Sequence, residues 1–442
     1  MKKIVKFTLI FSLLMICLCG CSSSSKLDPK APVTLTMWHV YGEQADSPMN
    51  RLITEFNETV GKEKGIIINV TRISNSKEIG AMLASAFKNE PGAPEIPDLF
   101  FSHNNNVDQI GVDNVLDWNE WFSDDELKDF MNSFLEEGTV KESLAVLPVS
   151  KSTQLLFING SEFDRFSTTS GITYEDLSTW DGLFDASEAY FSWSDGKPMC
   201  VFDYLLRAVE LNMLSQDQEV LFTDEGWYDF DNPALKESYL SFMRPLVQGH
   251  IAIADLYSNT QIMTGETMSG IGSCAALLYY NDTVTYPDNT TEPVNLQILP
   301  YPQTASHSAS MTQAGVGLCA YKTTEQKAEA ASIFAHWLTE PQRNLDFVAQ
   351  TAYMPVRNDS FDAIADYEFP DDTHKKLYTT LNVMKDTYTA YPEQYASGYY
   401  DKVSILYDQL RQIQPEWIQR SQNGESTEQL IEEAWELFCQ IK

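Results

Sequence analysis

Apolar and polar positions alternate from Val33 to Val40 (VTLTMWHV), and the period then changes, so that Met49, Leu52, Ile53 and Phe56 fall on one helical face. The β-branched run 65–73 (GIIINVTRI) predicts a second strand. Segment 78–90 (EIGAMLASAFKNE) predicts a second helix, and 96–102 (IPDLFFS) a third strand opened by a proline. Strand, helix, strand, helix is the pattern of an α/β layer with a mostly parallel sheet. Farther on, 315–324 (GVGLCAYKTT) predicts a strand and a turn, with Thr323 and Gln326 spaced as a capping box for a helix that buries Ala331, Phe334, Ala335 and Leu338. Ser426 and Gln429 are spaced as a second box, before a stripe of Leu430, Ala434, Leu437, Phe438 and Ile441. These stripes are core. One run resists the scheme: 147–159 (LPVSKSTQLLFIN) is strand-like, yet Ser150, Lys151, Ser152 and Thr153 interrupt it. A buried strand has no use for three hydroxyls and an ammonium, whereas a strand whose first residues open onto a ligand does.

The N-terminus adds an export signal. Lys2, Lys3 and Lys6 precede the apolar run Phe7 to Leu18, which is too short to span a membrane, and residues 1–20 are therefore set apart from the fold. The segment LCGC resembles a bacterial lipobox, with Cys21 as the cysteine to be acylated and 21–32 as a tether. The remaining chain is long enough for more than one core. The 63 acidic against 30 basic residues of the full sequence, a net charge of −33, exclude nucleic acid as a partner and leave the lipid anchor as the expected contact with a membrane. Cys200, Cys274, Cys319 and Cys439 have neither disulfide-framework nor metal-site spacing, and buried free thiols are the expected state.

Phosphate-loop, dinucleotide, zinc-protease and C-x-x-C motifs are absent, and the six histidines are scattered. No cofactor and no metal is implied. One enzymatic pattern is present in loose form: Ser74 to Lys77 reads S-x-x-K, 194–196 reads SDG and 322–324 reads KTT, an echo of penicillin-recognising serine hydrolases. A secreted hydrolase of that type is the alternative reading.

The motifs in order carry a broader resemblance. LTMWHVYGE with LITEFNE, IPDLFFS, LPVSKSTQLLFIN, STWDGL (178–183), MTGETMSGIGSCA (263–275), LPYP (299–302) and TAYMPVRND (351–359) together resemble the extracellular solute-binding proteins of ABC importers, the sugar-binding family that includes the maltose and glycerol 3-phosphate receptors. The resemblance implies a two-lobe α/β fold of the periplasmic-binding-protein kind, type II, each lobe a helix-flanked, mostly parallel sheet. Lobe 1 would be 33–147 with 300–345 and lobe 2 would be 148–299 with 346–442, with crossings near Leu147, Leu299 and Leu345. It further implies a non-enzymatic, monomeric receptor that captures a carbohydrate, an oligosaccharide or polyol, between the lobes and delivers it to the transmembrane subunits of an ABC permease. Carried onto this sequence, the family pattern places Trp38, His39, Ser102, His103, Ser152, Thr153, Gly272, Ser273, Gly315 and Tyr353 in the cleft. Three of these also fit plain structural roles: Trp38 as half-buried core, Thr153 as a strand-face residue, Gly315 as a turn glycine. Where the glycerol 3-phosphate branch is expected to hold phosphate with an arginine, this chain has ASGYYDKV (396–403), so Tyr399 and Tyr400 are candidates for stacking on a sugar ring.

Overall fold

The computed structural model of the chain describes residues 25–42, 47–223, 225–393 and 398–441; the expected signal segment and Cys21 lie outside them. The chain first lays down β1 (Val33–His39), α1 (Pro48–Glu58), β2 (Ile66–Ile73), α2 (Ser76–Phe87), β3 (Leu99–Ser102), α3 (Asn104–Ile110) and α4 (Asn132–Gly138). Local chemistry sets these starts. Ser47 caps α1 by accepting from the Asn50 N–H, with Pro48 in the first turn, and Asn75 caps α2 by accepting from the Glu78 N–H.

The run 147–159 then splits. Leu147–Pro148 (β4) belongs to the first sheet and Gln154–Ile158 (β5) to the second. The second lobe continues with α5 (Gly160–Ser170), α6 (Trp180–Trp193), β6 (Cys200–Phe202), α7 (Leu205–Ser215), α8 (Pro233–Gln248), β7 (Ile251–Ile253), α9 (Ser258–Met263), β8 (Ser269–Ser273) and β9 (Gln297–Leu299). The chain returns through β10 (Ser310–Gln313), β11 (Gly317–Ala320), α10 (Glu325–Leu338) and α11 (Pro341–Thr351). It ends with α12 (Asp372–Thr387), β12 (Thr389–Pro392), α13 (Tyr399–Gln422) and α14 (Thr427–Gln440).

Two five-stranded sheets result, ordered β2-β1-β3-β11-β4 and β9-β5-β8-β6-β7. Each has a parallel trio, β2-β1-β3 in one and β8-β6-β7 in the other. Antiparallel pairings are added where the chain crosses or returns: β11 on β3 and β4, β5 on β8 and β9. The molecule is thus a two-lobe α/β protein. Three passages lie side by side between the lobes: Lys151 and Met354 exchange backbone hydrogen bonds of 3.3 and 2.6 Å, and Ser152 and Ala314 exchange a pair of 2.9 Å.

The expected helical faces bury Met49, Ile53 and Phe56 on α1, Ala331, Phe334, Ala335 and Leu338 on α10, and Leu430, Ala434 and Phe438 on α14. The caps differ from expectation. Thr324, one residue after Thr323, caps α10 by accepting from the Lys327 N–H at 3.2 Å. Ser426 makes no side-chain cap bond, and the Gln429 amide donates to Glu433 instead. Leu345 is buried inside α11, whose apolar stripe packs on α1, so the chain stays with the first lobe there; α12 is the helix that packs on β9 of the second. Cys200, Cys274 and Cys319 are buried free thiols, and Cys439 is free and half-buried.

Candidate functional site

Open α/β sheets bind ligands beyond the carboxyl ends of their strands, where backbone groups run out of strand partners. Both parallel trios here aim those ends at the same space. Val40, Tyr41 and Gly42 follow β1, His103 follows β3, Asp203 and Tyr204 follow β6, Tyr257 comes shortly after β7, and Ser273 closes β8; all line a cavity of about 650 Å³ between the lobes. A second cavity of about 580 Å³ shares His103, Tyr204, Ser273, Gly315 and Tyr353 with it and runs over the crossing strands to Tyr400. The two form one elongated cleft.

The floor of that cleft is the interrupted stretch after β4. Ser152 Oγ lies 2.7 Å from Ser273 Oγ, tying the crossing to the end of β8. Thr153 Oγ1, Gln154 Oε1 and Thr312 Oγ1 are buried along the lower cavity without a hydrogen-bond partner in the protein. A buried polar atom left unsatisfied costs about 1–3 kcal/mol, so three on one floor mark a surface made to be satisfied by something else. Two glycines shape the site. Gly315 sits at φ 114°, open to glycine and strained for any other residue. A Cβ at Gly272 would stand 2.5 Å from Asp203 Oδ2, so glycine there is what lets the carboxylate occupy its place.

Lys151 of the same run does not line the cleft. Its ammonium pairs with Glu137 of α4 at 2.8 Å, and the two side chains are only 4% and 6% exposed. The same nitrogen donates to the Gly315 carbonyl at 3.2 Å, while Gln313 donates to Glu137 at 2.9 Å. The buried charge is therefore balanced across α4 and two of the passages between the lobes.

Two groups in the cleft are pushed toward neutrality. Burial, and after it the positive Lys151 nearby, lowers the His103 pKa to about 4, so the imidazole is neutral at physiological pH. Burial raises Asp203 to about 6 against the opposing Ser258 hydrogen bonds, its backbone N–H donating at 2.6 Å; the carboxylate is ionised at neutral pH but held uneasily.

Of the residues expected in the cleft, His103, Ser152, Thr153, Ser273, Gly315, Tyr353 and Tyr400 line it. Trp38 does not. It is buried beneath α2 and α3 with Ile79, Leu83, Phe100 and Val107, its indole N–H donating to Thr71 at 3.1 Å. His39 is fully buried, its Nε2 3.0 Å from Asn50 Oδ1 and its Nδ1 accepting from the Tyr41 N–H; burial lowers its pKa. Ser102 accepts from Asn106 at 3.0 Å and touches only a small recess beside Lys151. Gly272 acts through Asp203 rather than by lining the space. Tyr399 is largely buried, its hydroxyl joined to Tyr228 at 2.8 Å and to Glu210 at 2.9 Å, whereas the neighbouring Tyr400 is exposed and donates to Glu393 at 2.9 Å.

Sequence reasoning missed Asp203, Tyr204, Tyr257 and Tyr279. Tyr204, Tyr257 and Tyr279 are exposed aromatics on the second-lobe side of the cleft. A usable signal was present in CVFDY (200–204): an acid and an aromatic directly after a short apolar strand.

The family model for bacterial extracellular solute-binding proteins matches residues 51–376, well over half of the chain. The chain belongs to that family. No curated protein matches it by sequence. Solved structures share its fold: the cyclic alpha-maltosyl-1,6-maltose binding protein of Arthrobacter globiformis is 17% identical with a TM-score of 0.69, over 92% of this chain and 98% of that one. The sugar-binding protein MalE of Xanthomonas citri is 14% identical at 0.65 (92% and 96%). UgpB of Mycobacterium tuberculosis, in complex with glycerophosphocholine, is 15% identical at 0.61 (93% and 98%). Among the described residues no helix is long and apolar enough to cross a membrane.

Proposed function

We propose that this solute-binding protein captures a carbohydrate, an oligosaccharide or polyol, in the interlobe cleft and hands it to the transmembrane subunits of an ABC importer, while Cys21 anchors it to the outer face of the cell membrane. The observation that carries the reading is the pairing of exposed tyrosine rings above with unpartnered buried polar atoms below. A sugar ring presents an apolar C–H face to an aromatic and directional hydroxyls to polar groups, which is what such a cleft satisfies. The named binding proteins of Arthrobacter and Xanthomonas, with the same two-lobe frame, support it. Binding favours closure because Tyr204, Tyr257 and Ser273 sit on one lobe and Tyr41, Asn75 and His103 on the other, so a solute touching both stabilises only the closed form.

The hydrolase alternative finds no assembled site. Ser74 donates to Glu78, Lys77 pairs with Asp401 at 3.0 Å, Ser194 ends α6 in the second lobe, and Lys322 follows β11 in the first. Calorimetry against a panel of oligosaccharides and polyols, with small-angle scattering before and after ligand, tests the proposal. Binding with a fall in radius of gyration is the expected result. Hydrolysis of acyl substrates that disappears in Ser74→Ala would overturn it.

A further inference from the structure

The cleft is electrically one-sided. The Asp203 carboxylate lines the upper cavity, and among the described residues that line it there is neither a lysine nor an arginine. His103 cannot compensate, because burial and Lys151 keep it neutral. In the lower cavity the Lys77 charge is taken up by Asp401 at 3.0 Å, and Glu393, which accepts from the Tyr400 hydroxyl, faces the charge of the buried Arg207. Two buried cations nearby are already paired, Lys151 with Glu137 and Arg207 with Glu210. Around Asp203 the same cavity carries Tyr204, Tyr257 and Tyr279. A carboxylate in a partly desolvated space beside aromatic faces favours a cation twice over, through charge-assisted hydrogen bonds and through the negative ring faces. It disfavours phosphate and carboxylate substituents by like-charge repulsion. Below, Gln154 Oε1 is a buried acceptor awaiting a donor, and Thr153 and Thr312 offer hydroxyls that can serve either way.

Building on the carbohydrate reading, we propose that the cleft selects a saccharide bearing a protonated amine, with the ammonium held by Asp203 among Tyr204, Tyr257 and Tyr279 and the hydroxyls spread over Thr153, Gln154 and Thr312. The acidity of the whole chain works in the same direction, drawing cationic solutes toward the cleft.

The test is calorimetric titration of the soluble protein, freed of its first 24 residues, with three probes at neutral pH: a glucosamine trisaccharide, its N-acetylated form and a neutral glucose trisaccharide. At low salt the amine should bind about tenfold tighter than either of the others, a difference of about 1.4 kcal/mol. That advantage should shrink as salt is raised. In Asp203→Asn, shown to be folded by its thermal transition, the ratio should collapse to roughly threefold or less. Equal binding of amine and neutral trisaccharides to the wild type would overturn the amine assignment and leave the carbohydrate reading standing. An undiminished ratio in Asp203→Asn would overturn the assignment to Asp203. Absence of binding by all three would overturn the amine assignment, and the wider panel of oligosaccharides and polyols then decides the carbohydrate reading separately.

Discussion

Single side chains in this protein separate stability from binding. Thr153 Oγ1 is buried on the cleft floor without a protein partner. Thr153→Val keeps the shape and removes the orphaned oxygen, so the unliganded protein should gain about 1 kcal/mol in urea denaturation while ligand affinity falls about tenfold. Trp38→Ala should do the opposite. The ring is core, so its loss should cost about 3–5 kcal/mol while the folded fraction binds ligand with unchanged affinity. Asp203 adds a pH signature. Its folded pKa of about 6 lies above the unfolded value of about 3.9, so its ionisation destabilises the fold above pH 6, and that cost is relieved as pH falls through 6 toward 3.9. Asp203→Asn should therefore raise the melting temperature at pH 7, corresponding to about 1–2 kcal/mol, and bring no gain at pH 4. His103 has the opposite sign: held near 4 against about 6.5 unfolded, it contributes stability above pH 6.5 that is lost as pH falls toward 4. Comparing the Asp203→Asn and wild-type melting curves over this range isolates the Asp203 contribution.

At the scale of elements, legibility followed the length of the pattern. β1, α1, β2 and α2 were readable because each runs for seven or more residues, long enough to show a period or, in β2, a β-branched run. β6 and β7 have three residues each, too few to show alternation, and the acid and aromatics that follow them were missed for that reason. Trp38 and His39 were misplaced by a related limit. A strand sequence gives two faces but not which one meets a helix, and a register shift between Met37 and Trp38 further turns the end of β1. The LPVSKSTQLLFIN run was readable as a crossing, yet its lysine was not, because the partner Glu137 is set by how α4 packs beside it. Lys151→Met leaves Glu137 and its contacts buried without a counter-charge, and should cost about 3–5 kcal/mol. Glu137→Gln in the same background should recover part of that loss, since a neutral amide can still meet Gln313. Equilibrium denaturation of the two variants checks both statements, and a loss below about 1 kcal/mol would show that the pair is not confined as described.

For the whole molecule the question is what holds the lobes at their mutual distance. Among the described residues a charged contact spans the mouth of the cleft, from Lys77 on α2 of the first lobe to Asp401 on α13 of the second, and both side chains are mostly exposed. An exposed pair contributes only about 0.2–1 kcal/mol and is screened by salt. On the proposed capture mechanism, such a contact would bias the open and closed populations by a factor of about 1.4 to 5 without fixing them. The passages at Lys151, Ala314 and Met354, by contrast, are joined by backbone hydrogen bonds and a buried ion pair, and on the proposed capture mechanism would serve as the pivot. Lys77→Gln should therefore leave the melting temperature within a degree or two and weaken ligand binding by about threefold at low salt, with little difference from wild type at high salt. Small-angle scattering should show the unliganded variant slightly more extended and the liganded variant equal to the wild type. If affinity were unchanged at every salt concentration, the Lys77–Asp401 contact would have no part in closure, and the bias would rest on the ligand alone.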